Sequence, residues 1–340
     1  MNTNIDIIVP WVDDSDVEWK KAKERSQKKY YPEEESDSNI RFESWDNLQY
    51  WFRAIEKYMP WVHKILFITW GHLPEFLNIN HPKLEIVKHK DYIPEEYLPT
   101  FNSNTIEMNY HRIEGLSENF IIFNDDMIPL QPIEEEYYFL NNQVCDEAVE
   151  NIIVPSEFGS ISNMARYTQV NNMMIINKYF DKRKVQENSL DKWFHKDYGE
   201  LLERTKSLKY WYDFPGFYDP HMPSAMKKSV LMKLWELEPE KLHRGSLNHF
   251  RGHTDVTQYL IRYWQLCEGD FYPRKTLGKM CLVNINNYQE YAEGIRNHKW
   301  QMISLNEDCN VEEFNIIKSE INKALDIILP DKCSFEKNYS

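Results

Sequence analysis

The residues best able to do chemistry stand at the end of an apolar run. Asn119-Phe120-Ile121-Ile122-Phe123-Asn124 leads straight into Asp125-Asp126. Two adjacent carboxylates at the mouth of a buried strand can hold a hard divalent cation, which prefers carboxylate oxygen. Such an ion neutralises charge on a phosphate group during its transfer. Paired acids after a strand also serve as an Asx-type turn, so the pair gains meaning only from its companions. His221 lies in Tyr218-Asp219-Pro220-His221-Met222-Pro223, between prolines that fix the backbone. A rigid histidine suits a general base or a cation against phosphate, although an ordinary loop histidine is the commoner case. Arg251, in His249-Phe250-Arg251-Gly252-His253, carries a fork matched to phosphate oxygens, although surface ion pairs are the commoner use of arginine. Glu107 closes Asn102-Ser103-Asn104-Thr105-Ile106-Glu107, a polar helix start where an acid also simply favours the helix dipole.

These residues need elements to position them. Apolar runs predict strands at 5–12, 64–69, 84–88 and 119–124, the first ending in a second acidic loop, Asp13, Asp14 and Asp16. Periodic segments predict helices at 17–31, 46–58 (capped by Asp46), 103–112, 223–238, 254–268 (capped by Thr254, with Asp255 in its first turn) and 311–329. Residues 33–39 read as a polar loop. Alternating strands and helices imply an α/β fold with a mostly parallel sheet flanked by helices, in which ligands sit at the carboxyl ends of strands. Both acidic loops fall at such ends. Residues 131–215 read as a helical insertion or subdomain with a weak helix near 171–180, between catalytic halves at 1–130 and 216–300 and a C-terminal helical segment at 301–340. Lys227 and Lys228 oppose the dipole at the start of the 223–238 helix unless they face a phosphate. The amphipathic 311–329 helix is expected to cover the core, a membrane or partner surface being the lesser reading.

Composition sets the class. The chain has 340 residues, of which 42% are hydrophobic, enough for a large core or two coupled ones. Its net charge of −14 argues against nucleic acid as a partner, because phosphate backbones are gripped by surplus Lys and Arg. Five scattered cysteines form neither a CxxC nor a Cys/His cluster, so structural zinc and a disulfide framework are not expected. The first 14 residues lack a basic region followed by an apolar one, and nowhere do about 18 apolar residues run together. A cytoplasmic protein is expected, with peripheral attachment to the inner face of a membrane left open.

Four segments carry a resemblance: IDIIVPWVDDSDVEW (5–19), LPTFNSNTIEMNYHRIEGLSENFIIFNDDM (98–127), DPHMPSAMKKSVLMKLWE (219–236) and FRGHTDV (250–256). They resemble the conserved blocks of the Stealth family, which includes bacterial capsular polysaccharide phosphotransferases and the animal enzyme that places N-acetylglucosamine-1-phosphate on lysosomal glycoproteins. The resemblance implies a glycosyltransferase-A-like or Rossmann-like fold, and a catalytic set of Glu107, Asp126, His221 and Arg251. It implies that Asp13, Asp14, Asp16, Asn102 and Asn104 lie near the nucleotide sugar, and that Asp125 and Asp126 hold Mg²⁺ or Mn²⁺. One block departs: the family's last segment carries a cysteine followed shortly by Asn-Asp, whereas Cys281-Leu282-Val283-Asn284-Ile285-Asn286 has no aspartate. Asn284 and Asn286 can still offer carbonyl oxygens to the metal. The activity implied is transfer of a hexose-1-phosphate or N-acetylhexosamine-1-phosphate from a UDP-sugar to a hydroxyl of an oligo- or polysaccharide, releasing UMP. The resemblance also implies peripheral association with capsule assembly proteins. The rivals to this activity are a glycosyltransferase releasing UDP and a non-catalytic glycan-binding scaffold within a capsule assembly complex. Either Glu107 or His221 could be the base.

Overall fold

A computed structural model describes residues 4–30, 44–155 and 160–337. The apolar run at the start forms β1 (Ile5–Trp11), followed by β2 (Lys64–Thr69), β3 (Leu84–Lys88) and β4 (Asn119–Ile122). These four pair in parallel in the order β3-β2-β1-β4. β1, β2 and β4 are buried on both faces, as expected of strands covered by helices on each side, while the edge strand β3 is buried only in part. Strand order reverses direction between β1 and β4, so the crevice at their carboxyl ends is where an open α/β sheet binds ligand. The loops holding Asp13 and Asp125-Asp126 open into that crevice.

Past Asp126 the chain leaves this sheet. β5 (Met127–Pro129) joins a second sheet, while β6 (Phe139–Leu140) and β7 (Gln143–Asp146) begin a third. β8 (Ser224–Lys227) returns to the main sheet antiparallel to β4, β9 (Phe271–Pro273) pairs with β7, and β10 (Lys279–Val283) and β11 (Met302–Glu307) complete the second sheet with β5. The acidic pair therefore sits at the corner where one sheet hands over to another. The backbone N–H of Leu305 on β11 donates to the Asp126 carbonyl at 3.0 Å and clamps that corner.

Several expectations are corrected. The segment expected as one helix at 223–238 is strand β8 followed by a helix at Lys228–Leu237, because pairing with β4 outweighs local helical preference. Its lysines do not face a phosphate site: Lys227 pairs with Asp270 at 2.8 Å, and Lys228 reaches the carbonyls of Ile113 and Leu116. Asp46 does not cap the helix Leu48–Tyr58; it has a φ of 52° and accepts from Lys318 at 2.7 Å. Thr254 is likewise no cap, since that helix begins later, at Tyr259–Glu268. The helix expected near 171–180 spans Ser160–Tyr179, and short helices at Lys182–Asn188, Leu190–Trp193 and Leu202–Leu208 follow. The loop expected at 33–39 lies outside the described residues.

One continuous apolar core runs through all the expected divisions. The 301–340 segment is no appendage: β11 lies inside the second sheet, and the helix Val311–Ile328 buries Phe314, Ile317, Ile321, Ala324, Leu325 and Ile328. Behind it, Arg53 makes a two-pronged ion pair with Glu336 (2.7 and 3.0 Å) and donates to the Leu329 carbonyl at 2.8 Å. Among the described residues no helix is long and apolar enough to cross a membrane.

Candidate active site

Asp125 and Asp126 are half-buried, and the Oδ1 atom of Asp126 is cut off from solvent with no hydrogen-bond partner. Burial, together with the Asp126 charge, pushes Asp125 up to about 7. Burial and then the Glu307 carboxylate push Asp126 up to about 7. An anionic pocket with an orphaned carboxylate oxygen fits a hard divalent cation, which would satisfy that oxygen and keep both acids ionised. No group of three His, Cys, Asp or Glu side chains among the described residues converges as a ready-made metal cage. The two carboxylates supply oxygen donors of the kind a hard divalent cation such as Mg²⁺ or Mn²⁺ takes. Asn284, expected as a further metal ligand, makes hydrogen bonds of its own: its Oδ1 accepts from Asn286 N–H at 3.0 Å and its Nδ2 lies 3.4 Å from Asp308.

His221 approaches from the far side. Its backbone is left-handed (φ 51°), a conformation costly for a residue with a side chain and found where surroundings over-determine it. Those surroundings are visible two residues earlier. Asp219 accepts from the Tyr263 hydroxyl and pairs at 3.2 Å with Arg262, a fully buried guanidinium that also holds Asp146 by two prongs of 2.8 and 2.9 Å. The imidazole Nδ1 lies 2.9 Å from Ser304 Oγ on β11, and that oxygen lies 3.4 Å from Asp126 Oδ2. Burial lowers the histidine's pKa, so it is neutral near pH 7.

Glu107 and Arg251 arrive together. Glu107 sits on the helix Ser103–Met108, buried enough that desolvation lifts it to about 7 although the Arg251 charge pulls the other way. Arg251 is exposed and its Nη2 donates to Ser103 Oγ at 2.9 Å. What joins the two segments is Asp255, which is fully buried. Its Oδ2 accepts from Asn102 Nδ2 (2.9 Å), Asn104 Nδ2 (2.8 Å) and Gly252 N–H (3.0 Å), and its Oδ1 from Asn248 Nδ2 (2.6 Å). Asn102 and Asn104, expected near the nucleotide sugar, thus turn their amides inward to bind the Arg251 loop to the Glu107 helix. From the outside the helix Ser160–Tyr179 straps the same loop, Asn171 donating to the carbonyls of His253 and Asp255.

The four expected catalytic residues share one electrostatic neighbourhood. Arg251 acts on both Glu107 and His221. Tyr259 lies between: burial raises its phenol, and Asp219, Glu107 and Asp126 raise it further. At the neighbouring β1 end, Asp16 Oδ1 caps the helix Val17–Tyr30 through Glu18 and Trp19 N–H, Asp13 Oδ1 holds Ser15, and His72 bridges the loop. The imidazole accepts from Asp13 N–H at 2.8 Å and faces Asp16 at 3.2 Å. Asp13 and Asp16 shape this rim, with Asp14 between them. Sequence patterns gave no warning of Ser304, Asn306, Glu307, Tyr259 or His72. Asp255 lay inside a recognised block but read as a first-turn acid.

A model of Stealth protein CR2, conserved region 2, matches residues 41–146, which include Glu107 and Asp125-Asp126. The chain is 39% identical over 334 residues to a capsular polysaccharide phosphotransferase WcwK of Streptococcus pneumoniae, covering 98% of both chains. This chain belongs to the Stealth family. It is a phosphotransferase by that membership, and the scaffold reading falls away. Exopolysaccharide phosphotransferase cps2G of Lactiplantibacillus plantarum is 35% identical to this Stealth chain (98% of this chain, 96% of the relative). Receptor polysaccharide phosphotransferase WefC of Streptococcus oralis is 32% identical (98% and 99%). Among solved structures, the apo-form glycosyltransferase GlyE of Streptococcus pneumoniae TIGR4 aligns over 94% of this chain and 79% of its own, at 8% identity and a TM-score of 0.24, too distant to carry an argument.

Proposed function

We propose that this Stealth phosphotransferase moves a hexose-1-phosphate or N-acetylhexosamine-1-phosphate from a UDP-sugar to a hydroxyl of a growing cell-surface polysaccharide, and releases UMP. The observation that carries the reading is the orphaned Oδ1 of Asp126, in an acidic corner at the sheet's switch point and across Ser304 from a neutral histidine. Mg²⁺ or Mn²⁺ held by Asp126, with Asp125 beside it, supplies neutralisation of the donor's diphosphate. Arg251, on the exposed loop tied down by Asp255, meets the charge that builds on the transferring phosphoryl oxygens. His221 takes the proton of the acceptor hydroxyl as its oxygen bonds to the β-phosphorus. The bond from that phosphorus to the bridging oxygen breaks, its electron pair leaving with UMP, and His221 later yields the proton to solvent. Glu107, raised to about 7 and next to Arg251, orients that arginine.

The test is to incubate the protein with UDP-glucose, UDP-galactose, UDP-N-acetylglucosamine and UDP-N-acetylgalactosamine, each with Mg²⁺ or Mn²⁺ and an oligosaccharide acceptor, and identify the nucleotide. UMP with a phosphodiester-linked product is expected. UDP with a glycosidic product would refute phosphoryl transfer.

A further inference from the structure

We infer that Ser304 is a positioning residue that fixes His221 as the Nδ1–H tautomer and leaves Nε2 as the nitrogen that receives the acceptor's proton. The inference rests on the phosphotransfer reading for its chemistry but on hydrogen bonds alone for its geometry. A serine hydroxyl has one proton to give and two lone pairs to fill. Around Ser304 Oγ stand three groups: Asn306 Nδ2 at 3.1 Å, His221 Nδ1 at 2.9 Å and Asp126 Oδ2 at 3.4 Å. The amide nitrogen can only donate. Asp126, ionised when it holds a divalent cation, can then only accept, and it is the strongest acceptor of the three. The hydroxyl proton therefore goes to Asp126, one lone pair to Asn306, and the second lone pair needs a donor, which is Nδ1–H of His221. With the proton on Nδ1, the ring nitrogen left with a lone pair for substrate is Nε2.

Ser304 is 0% exposed and its neighbours fix it in place. β11 is clamped on one side to β5 and on the other to β10, and Leu305 N–H is bonded to the Asp126 carbonyl. The serine is thus held in register with the acid it serves. The arrangement also couples the two halves of the site. An ionised Asp126 demands the serine proton, and the serine then demands the histidine's. Charge at the acidic corner and readiness of the base are set by the same hydroxyl, without contact between Asp126 and His221.

The experiment combines histidine-selective ¹⁵N labelling of the whole protein in saturating Mg²⁺ at pH 8 with kinetics on Ser304→Ala and Ser304→Thr. Long-range ¹H–¹⁵N correlations report which ring nitrogen carries the proton, and need no substrate. The wild type and Ser304→Thr should show His221 protonated on Nδ1, and Ser304→Ala should shift the population toward Nε2–H. In UMP release from the four UDP-sugars, Ser304→Ala should lose about tenfold or more in kcat with donor KM within about twofold, since a misplaced base forfeits part of the roughly 10²–10⁴ that general base catalysis supplies. Ser304→Thr should recover most of that loss. A wild-type His221 protonated on Nε2, a tautomer unchanged in Ser304→Ala, or unchanged kcat in that variant would each overturn the proposal. If Ser304→Ala fails to fold, the wild-type and Ser304→Thr spectra still decide it. Failure of the phosphotransfer reading would look different: the expected tautomers with no UMP from any donor.

Discussion

Asp255→Ala should be the most informative single change outside the reacting groups. The side chain is fully buried and accepts four hydrogen bonds, from Asn102, Asn104, Asn248 and Gly252. Hydrogen bonds to a charged group contribute about 1.5–3 kcal/mol each in isolation. They do not add, and the carboxylate's own desolvation offsets several kcal/mol of them. What remains after removal is three side-chain amides and one backbone N–H facing a cavity. Breaking a buried charged network in this way costs about 3–5 kcal/mol. With about 2.1 cal/mol/K of unfolding entropy per residue, the 340 residues give about 0.7 kcal/mol/K. The Tm should therefore fall by about 4–7 °C, read by calorimetry, with a matching drop in the denaturant midpoint. Activity should fall further than stability, because this carboxylate and its partners are central among the bonds that tie the loop presenting Arg251 to the Glu107 helix. Asp255→Asn, which keeps the shape but turns one acceptor into a donor, should lie between. A Tm within about 1 °C of wild type for Asp255→Ala would correspond to under about 1 kcal/mol and would refute the hub.

Three further outcomes are expected. Asp126→Ala and Arg251→Ala should each abolish transfer, with circular dichroism and Tm close to wild type. Near-normal turnover by either purified variant would remove that residue from the mechanism. In metal-free buffer, Asp125 and Asp126 have folded pKa values of about 7 against an ordinary 3.8, so their contribution to stability is fully present below about pH 4 and is lost as pH rises toward 7. Asp126→Asn should therefore gain on the wild type across that window, and Mg²⁺ should raise the wild-type Tm more at pH 8 than at pH 5; a flat difference would contradict the buried-acid corner. Arg53→Ala should cost about 3 kcal/mol by stranding Glu336, measured by urea unfolding, with kcat unchanged.

Local signals located much of this enzyme. Long apolar runs can only be buried strands or helices, and four of them, at the predicted positions, became the parallel sheet. Asp125-Asp126 was legible because an acid pair directly after such a run has to emerge at a strand end. The resemblance then joined Glu107, His221 and Arg251 to it, residues far apart in the chain that no spacing argument connects. Other features were beyond local reading. Ser224–Lys227 has the same look as the helix it precedes, and only an open edge on β4 makes it a strand. Asp46 and Thr254 have the chemistry of helix caps, but Lys318, far along the chain, and Asn248, in the preceding loop, hold their oxygens instead.

The sequence by itself determined the α/β class, the acidic corner and the family, because each depends on contiguous patterns of residues. Tertiary structure decided which polar groups do the positioning. Asn102 and Asn104 look like ligand-binding residues and instead hold Asp255, about 150 residues away. Ser304 looks like nothing in its strand, and it stands between His221 and Asp126. A buried donor or acceptor must find a partner wherever the fold places one, and that pairing is a property of packed elements that sequence neighbours do not contain.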